Sequence, residues 1–197
     1  IVQVNTDTPY AYSSVLAKWV AKGTAQDLPA VTVAKQSILR TPISMADVDA
    51  CSVGNLTMMC WQYGIAYAGT AEVHVIVFDN TTGSILLADT KVSATGRQRP
   101  RCVAIGSRLF VLYLESGNNL YCRYVTTAAP QTLVAEATLA TNVNSSTQRI
   151  DVIAYTSDVA GLAYNTSTAN TTAVALLDGP TAALTTTTTF ASNSSAA

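Results

Sequence analysis

The chain reads as an all-β protein, a β-propeller or an arc of one, built from four-stranded antiparallel blades with a period of about 50 residues. Three observations predict this. A motif recurs: Cys51–Trp61, Val103–Tyr113 and Ala154–Tyr164 each run as a short apolar stretch, a turn, a second apolar stretch and a closing aromatic, and the aromatics stand 52 and 51 residues apart. The second stretch, clearest in Leu109-Phe-Val-Leu-Tyr-Leu114, has no polar alternation; a strand of that kind is covered on both faces. Turn residues separate the stretches, as at Gly54-Asn55, Asp79–Gly83, Gly106-Ser107 and Asp178-Gly179-Pro180. Blades stacked radially cover their middle strands on both sides and leave only short edges. A β-sandwich of Greek-key type is the competing architecture.

The clearest unit spans 42–96. Met45–Val53 reads as its first strand and Leu56–Tyr63 as its second, joined by a two-residue turn that sets Cys51 opposite Met58. Glu72–Phe78 is the third strand. Asp79–Gly83 is a turn, because Asp and Asn bond their own backbone and Gly accepts a positive φ. Ser84–Val92 is the fourth strand. The next unit, 97–146, repeats the order with Arg101–Ile105, Arg108–Leu114, Leu120–Val125 and Gln131–Ala137. In the last, 147–197, the strands are Arg149–Tyr155, Val159–Tyr164, Thr171–Leu177 and a Thr-rich run to Phe190, followed by a polar tail. Residues 1–41 read as half a blade, with Val15–Val20 and Ala30–Val33 as its strands. Tyr12–Lys22 is the one stretch that also suits a short helix. Three and a half units fall short of the four to eight blades that close a ring. We therefore expect one domain of a longer protein, the more so because Ile1 opens inside what reads as folded sequence.

Composition narrows the function. Charged residues are 12% and the formal net charge is −1. Such a chain is no general polyanion binder, and its apolar content is too high for disorder. No apolar run is long enough to span a bilayer, so no membrane partner is expected. Glycine-rich phosphate loops and dinucleotide fingerprints are absent. So is any C-x-x-C pair among the four cysteines, which excludes a zinc ribbon. Cys51, Cys60, Cys102 and Cys122 are expected as free core thiols, with one disulfide as the alternative. No cofactor or metal is expected.

Few residues could carry chemistry. His74, the sole histidine, alternates with Val73 and Val75 on a strand, and no G-x-S-x-G elbow accompanies it. We read it as a packed or hydrogen-bonded strand residue rather than a general base. Asp47 and Asp49 share one face of the first strand, and Asp151 holds the comparable place in the third unit. Paired carboxylates can hydrolyse glycosides or bind calcium, but no D-x-D-x-D-G loop occurs. The Ser-x-Asp-x-Gly-x-x-Trp turn of sialidase-type propellers is also missing. These acids are expected to be structural. Arg97, Arg99 and Arg101 form the one basic cluster; in an extended segment they share a side and could grip a phosphate or carboxylate, but a solvated inter-blade connector is the reading preferred. Six N-x-S/T sequons, at Asn55, Asn80, Asn144, Asn165, Asn170 and Asn193, are read first as turn chemistry and second as glycan acceptors.

The units Asp47–Trp61 and Pro100–Tyr113, with Leu120-Tyr-Cys-Arg-Tyr124, resemble the degenerate blade repeats of tail proteins of short-tailed bacteriophages, the nozzle or tail-tube type. The likeness covers 42–180 and is one of pattern. It implies a virion protein without catalytic residues, partnered by other tail subunits, with copies in a homo-oligomeric ring and DNA passing through a central channel. The function expected is thus a non-enzymatic structural or interaction domain of a phage tail, located in the virion. The alternative is an extracellular glycan-binding propeller or the non-catalytic part of a carbohydrate-active enzyme, which would use the aromatics Tyr10, Tyr63 and Tyr67. The third is an extracellular enzyme acting through Asp47, Asp49 or His74.

Overall fold

The computed structural model describes residues 10–13, 18–21, 45–64, 70–92, 96–115, 118–143, 150–168 and 171–191. Fourteen strands fall within them. A two-stranded sheet pairs β1 (Tyr10–Ser13) with β2 (Lys18–Ala21). The described part of Tyr12–Lys22, the stretch that also suits a short helix, is strand, and β2 overlaps the strand expected at Val15–Val20. Tyr10, Tyr12, Trp19 and Val20 are β-branched or aromatic and suit a strand better. Tyr12 sits opposite Trp19. The strand expected at Ala30–Val33 lies outside the described residues.

Three four-stranded antiparallel sheets follow, each a meander in chain order. They are β3 (Met45–Val53), β4 (Leu56–Tyr63), β5 (Glu72–Asp79) and β6 (Ile85–Lys91); β7 (Arg97–Ile105), β8 (Arg108–Glu115), β9 (Leu120–Thr126) and β10 (Ala137–Ala140); and β11 (Ile150–Ala154), β12 (Val159–Asn165), β13 (Thr171–Asp178) and β14 (Ala183–Ala191). They are the three blades the repeat predicts, and Cys51 does face Met58. Contacts between sheets gather on the first strands, with β7 against both β3 and β11. The stack is an arc of propeller blades.

The register repeats as faithfully as the topology. The aromatics that close each second strand, Trp61, Tyr113 and Tyr164, lie opposite His74, Tyr121 and Ala173 of the third strand. Strand side chains alternate faces and opposed pairs share one. Residues at even steps from the aromatic therefore face the preceding blade, and residues at odd steps face the following one. Two apolar layers result. Met58, Cys60, Val73, Val75 and Val77 of the first blade meet Leu109, Val111, Tyr113 and Val125 of the second. Phe110, Leu112, Leu114, Leu120 and Cys122 of the second meet Ala160, Leu162, Tyr164, Ala173, Ala175 and Leu177 of the third. β8 contributes to both layers and is buried from Leu109 to Leu114. Each buried Leu, Val or Phe side chain contributes roughly 1.5–3 kcal/mol relative to exposure.

Three expectations need correction. β12 is not covered on both faces. Its burial alternates, because only the face toward the second blade meets another sheet. The fourth strand of the second blade is Ala137–Ala140 rather than Gln131–Ala137. Pro130 has no N–H to offer a ladder, and Arg123 draws the carbonyls of Val134 and Leu133 onto its guanidinium at 2.6 and 3.4 Å. Only Leu133 bridges back to Val125. Finally, β7 begins at Arg97, so Arg97, Arg99 and Arg101 belong to a strand and not to a solvated connector.

Candidate functional site

Four of the residues singled out for chemistry, Asp47, Asp49, Arg99 and Arg101, lie at the junction of the first and second blades. A β-bulge sits near the start of each first strand, between Ala46 and Asp49 in β3 and between Gln98 and Arg101 in β7. Asp47 and Arg99 occupy the matching bulge positions with φ of 51° and 55°. An extra residue re-aims side chains, and here it turns the two toward each other. Arg99 Nη1 donates to Asp47 Oδ2 at 3.0 Å, while Arg101 Nη1 stands 4.0 Å from Asp47 Oδ1. The backbone N–H of Arg99 donates to Gln62 Oε1 at 3.1 Å. The bulge also breaks the simple alternation that would have put the three arginines on one side.

Asp49 faces the second blade. Its Oδ1 accepts the N–H of Ala50 and its Oδ2 the N–H of Cys102, both at 2.9 Å. Cys102 lies against the first blade, with its Sγ 3.9 Å from the carbonyl oxygen of Met58. That places its thiol near those of Cys51 and Cys60. Hydrogen bonding with Cys102, then burial, pushes the Cys60 thiol far up. Cys102 is pushed up as well, first by Cys51 and then by burial, against an opposing contribution from Cys60. Burial, and after it the charge of Glu136, pushes Cys122, in the other layer, up to about 12. All four cysteines are free thiols, and Cys60, Cys102 and Cys122 are held in the protonated form that is a poor nucleophile.

Arg97 is buried at the loop end of the second blade. It pairs with Glu115 and, at 3.1 Å, with Glu136, and its guanidinium lies 4.2 Å from the Tyr121 ring centroid. Tyr121 and Asn119 also donate to Glu115 Oε2, at 2.8 and 3.0 Å. Burial raises Glu115, but these donors and Arg97 outweigh it and hold its carboxyl below the ordinary value. Tyr113 donates its hydroxyl to Glu136 at 2.5 Å. This cluster had no signal in the sequence beyond Arg97, since Glu115 and Glu136 look like ordinary strand-end acids.

His74 lies between two carboxylates, with Nδ1 2.7 Å from Asp89 and Nε2 3.2 Å from Glu72. Its ring stacks on Trp61 at 5.7 Å. Lys91 also bonds Glu72, and this contact, ahead of the one from His74, holds Glu72 below its ordinary range. Asp151 is exposed at the edge of the stack, and no structural feature brings it near Asp47 or Asp49. Tyr63 is half-buried with its ring 5.8 Å from His74. Tyr67 lies outside the described residues, as do the sequons at Asn144, Asn170 and Asn193. Asn55 and Asn80 are exposed turn residues and Asn165 is half-buried. Among the described residues no cluster of three or more His, Cys, Asp or Glu could hold a metal ion, and no helix is long and apolar enough to cross a membrane.

One open cleft of about 650 Å3 lies between the turn ends of the first and second blades, lined by Gly54, Asn55, Asp79, Ser107, Thr127 and Gln131 among others. It offers amide, hydroxyl and backbone groups, the Asp79 carboxylate and the apolar Val53, Leu56 and Leu86, with no aromatic side chain in its lining.

No family model and no curated protein matches this chain. Solved structures that it resembles include the catalytic domain of a GH62 α-L-arabinofuranosidase from Coprinopsis cinerea, at 12% identity and a TM-score of 0.49 over 78% of this chain and 53% of that one. A GH43 β-1,3-galactosidase matches at 7% and 0.47, over 74% and 61%. The β-propeller domain of the Trilobed protease from Pyrococcus furiosus matches at 8% and 0.47, over 76% and 45%. The chain thus spans about half the length of these proteins. At such values neither activity nor substrate passes to it.

Proposed function

We propose that this chain is a non-catalytic structural and interaction module, a segment of a blade stack that holds its end surfaces in fixed relation for neighbouring subunits. One observation supports the reading above others: the groups capable of chemistry are committed to struts. Asp47 holds Arg99, Asp49 holds the Cys102 backbone, and His74 is held between Glu72 and Asp89. A general base must reach a substrate proton, and these side chains reach each other instead. The blade-repeat resemblance gives the setting we favour, a virion tail with like copies about an axis. Mass spectrometry of purified particles checks it: the expected result is peptides of this chain at a fixed stoichiometry, and their absence overturns the tail setting. Glycoside turnover lost in Asp49→Ala or His74→Ala would overturn the non-catalytic reading itself.

The inter-blade cleft favours a second reading, an extracellular glycan-binding propeller or the non-catalytic part of a carbohydrate-active enzyme. Asn55, Ser107 and Gln131 are the donors and acceptors that would take sugar hydroxyls. Titration of the labelled protein with neutral oligosaccharides, read by amide chemical shifts, separates the two. Saturable shifts at Asn55 and Gln131 that vanish in Gln131→Ala establish the second reading, and flat shifts at millimolar sugar remove it.

A further inference from the structure

The outer face of the third blade repeats, position for position, a surface that the first two blades use to receive a neighbour. In the first blade that surface carries Asp49, Cys51, Met58, Cys60, Val75 and Val77, and the second blade covers it. By register, the equivalent face of the third carries Asp151 and Ile153 on β11, Gly161 and Ala163 on β12, and Val174 and Leu176 on β13. Thr188 and Phe190 of β14 continue it, opposite Val174 and Thr172. Among the described residues nothing covers it: Ile153 is 71% exposed, Phe190 57% and Val174 42%, with Tyr155 at 74% beside them. Soluble proteins seldom leave such a patch open, and residues 150–197 include no lysine, arginine or glutamate to protect it.

Asp151 makes the correspondence specific. Asp49 lies opposite Cys60, one residue before the closing Trp61; Asp151 lies opposite Ala163, one before the closing Tyr164. Each accepts the N–H of its own next residue through Oδ1 at 2.9 Å. The second oxygen of Asp49 then takes a backbone N–H from the next blade. Asp151 keeps the same posture, exposed, and its second oxygen meets no donor among the described residues.

We propose that this face seats a further four-stranded antiparallel blade, stacked on the third as the second is on the first, and that Asp151 accepts a backbone N–H from that blade's first strand. The small centre of the face, Gly161 and Ala163, calls for large apolar side chains on the incoming blade, of the kind Tyr113 and Val111 present to the first. Area decides the source. A face four strands wide and five or six residues long covers about 300–400 Å2, against roughly 800 Å2 per partner in a stable interface between separate molecules. A blade continuous with this polypeptide acts at millimolar effective concentration, so the seat fits a tethered blade and not a free second copy. The proposal goes beyond the scaffold reading and concerns the stack alone.

The test extends the full 197-residue chain by a probe blade, residues 97–143 of its own sequence repeated after residue 197, with residues 45–92 as a second probe. Amide exchange in β12 and β13 is expected to slow at least tenfold with one or both probes. Val174→Lys or Asp151→Ala in the extended chain should return it toward the unextended rate, while both leave melting of the unextended chain nearly unchanged. No slowing with either probe, or slowing that Val174→Lys does not touch, overturns the proposal. So does sedimentation showing that the unextended chain dimerises through this face, with the dimer lost in Val174→Lys, because a second copy would then be the occupant.

Discussion

Gln98 is 1% exposed in β7, and neither its amide oxygen nor its nitrogen has a hydrogen-bond partner. A buried polar group without a partner costs about 1–3 kcal/mol. Gln98→Met keeps the length of the side chain and removes both polar atoms, so a gain of about 1 kcal/mol in a urea titration is expected. A loss would show that the amide serves the fold. Gly179 makes the opposite case. Its N–H donates to the Asp158 carbonyl at 2.8 Å, and an added methyl would stand 2.6 Å from Ile105 Cγ2 and 3.1 Å from the Asp158 oxygen. Overpacking of that kind typically costs about 1–3 kcal/mol. Gly179→Ala should lower the urea midpoint accordingly, and an unchanged midpoint would mean that the turns of the second and third blades are free to part. Neither residue could be chosen from the sequence. Gln98 reads there as one polar residue in an arginine-rich segment and Gly179 as one more turn glycine; their burial depends on the neighbouring blade.

At the scale of elements, the bond from Asp49 to the Cys102 N–H joins β3 to β7. Asp49→Ala leaves that N–H unpaired in a part-buried junction, which should cost about 1–3 kcal/mol. Thermal melting checks it, and a change under about 0.3 kcal/mol would show the strut to be idle. The turns add a dependence on pH. Hydrogen bonds from Thr82 and Thr81 hold Asp79 below its ordinary value of 3.8, and those from Thr181 do the same for Asp178. Lys91 holds Glu72, and the donors around Glu115 hold it, below 4.5. A carboxylate whose folded pKa is depressed stabilises the fold above its unfolded pKa and loses that contribution as pH falls through the folded value. Melting temperature should therefore be flat from neutral pH to about 5 with respect to these groups and fall below about 4.5. A maximum near pH 3 would contradict the assignment. The strands were legible in the sequence because their order is local: alternation, turn residues and the fifty-residue beat gave β3 to β5 and β8 almost to the residue. The bulges at Asp47 and Arg99 were not, since a positive φ at a charged residue has no sequence signature. β10 was displaced for a similar reason, by side-chain bonds from Arg123.

For the whole molecule, the repeat predicted a stack and the structure shows how uneven it is. The second blade is enclosed on both sides. The first presents Trp61 and Ile76, both buried, on the face away from it, while the third opens Ile153, Val174 and Phe190 to water. This asymmetry was hard to see in the sequence, where Val159–Tyr164, like Leu109–Leu114, shows no polar alternation. Gly161 and Ala163 are small and half-buried, and no sheet among the described residues faces them. The candidate site was legible only in its residue types. Asp47, Asp49, His74 and the arginines were identified as the groups to follow, but their pairing across blades needs the third dimension.

The central claim is that three blades stack as an arc with β8 at its centre. Native-state amide exchange across the whole chain tests it most directly, because local opening follows burial and packing. The account predicts the slowest exchange in β8, from Leu109 to Leu114, at the rate of global unfolding, with protection falling outward to β6 on one side and β14 on the other. Exchange in β14 as slow as in β8, or β8 exchanging faster than β5 and β13, would contradict the stack.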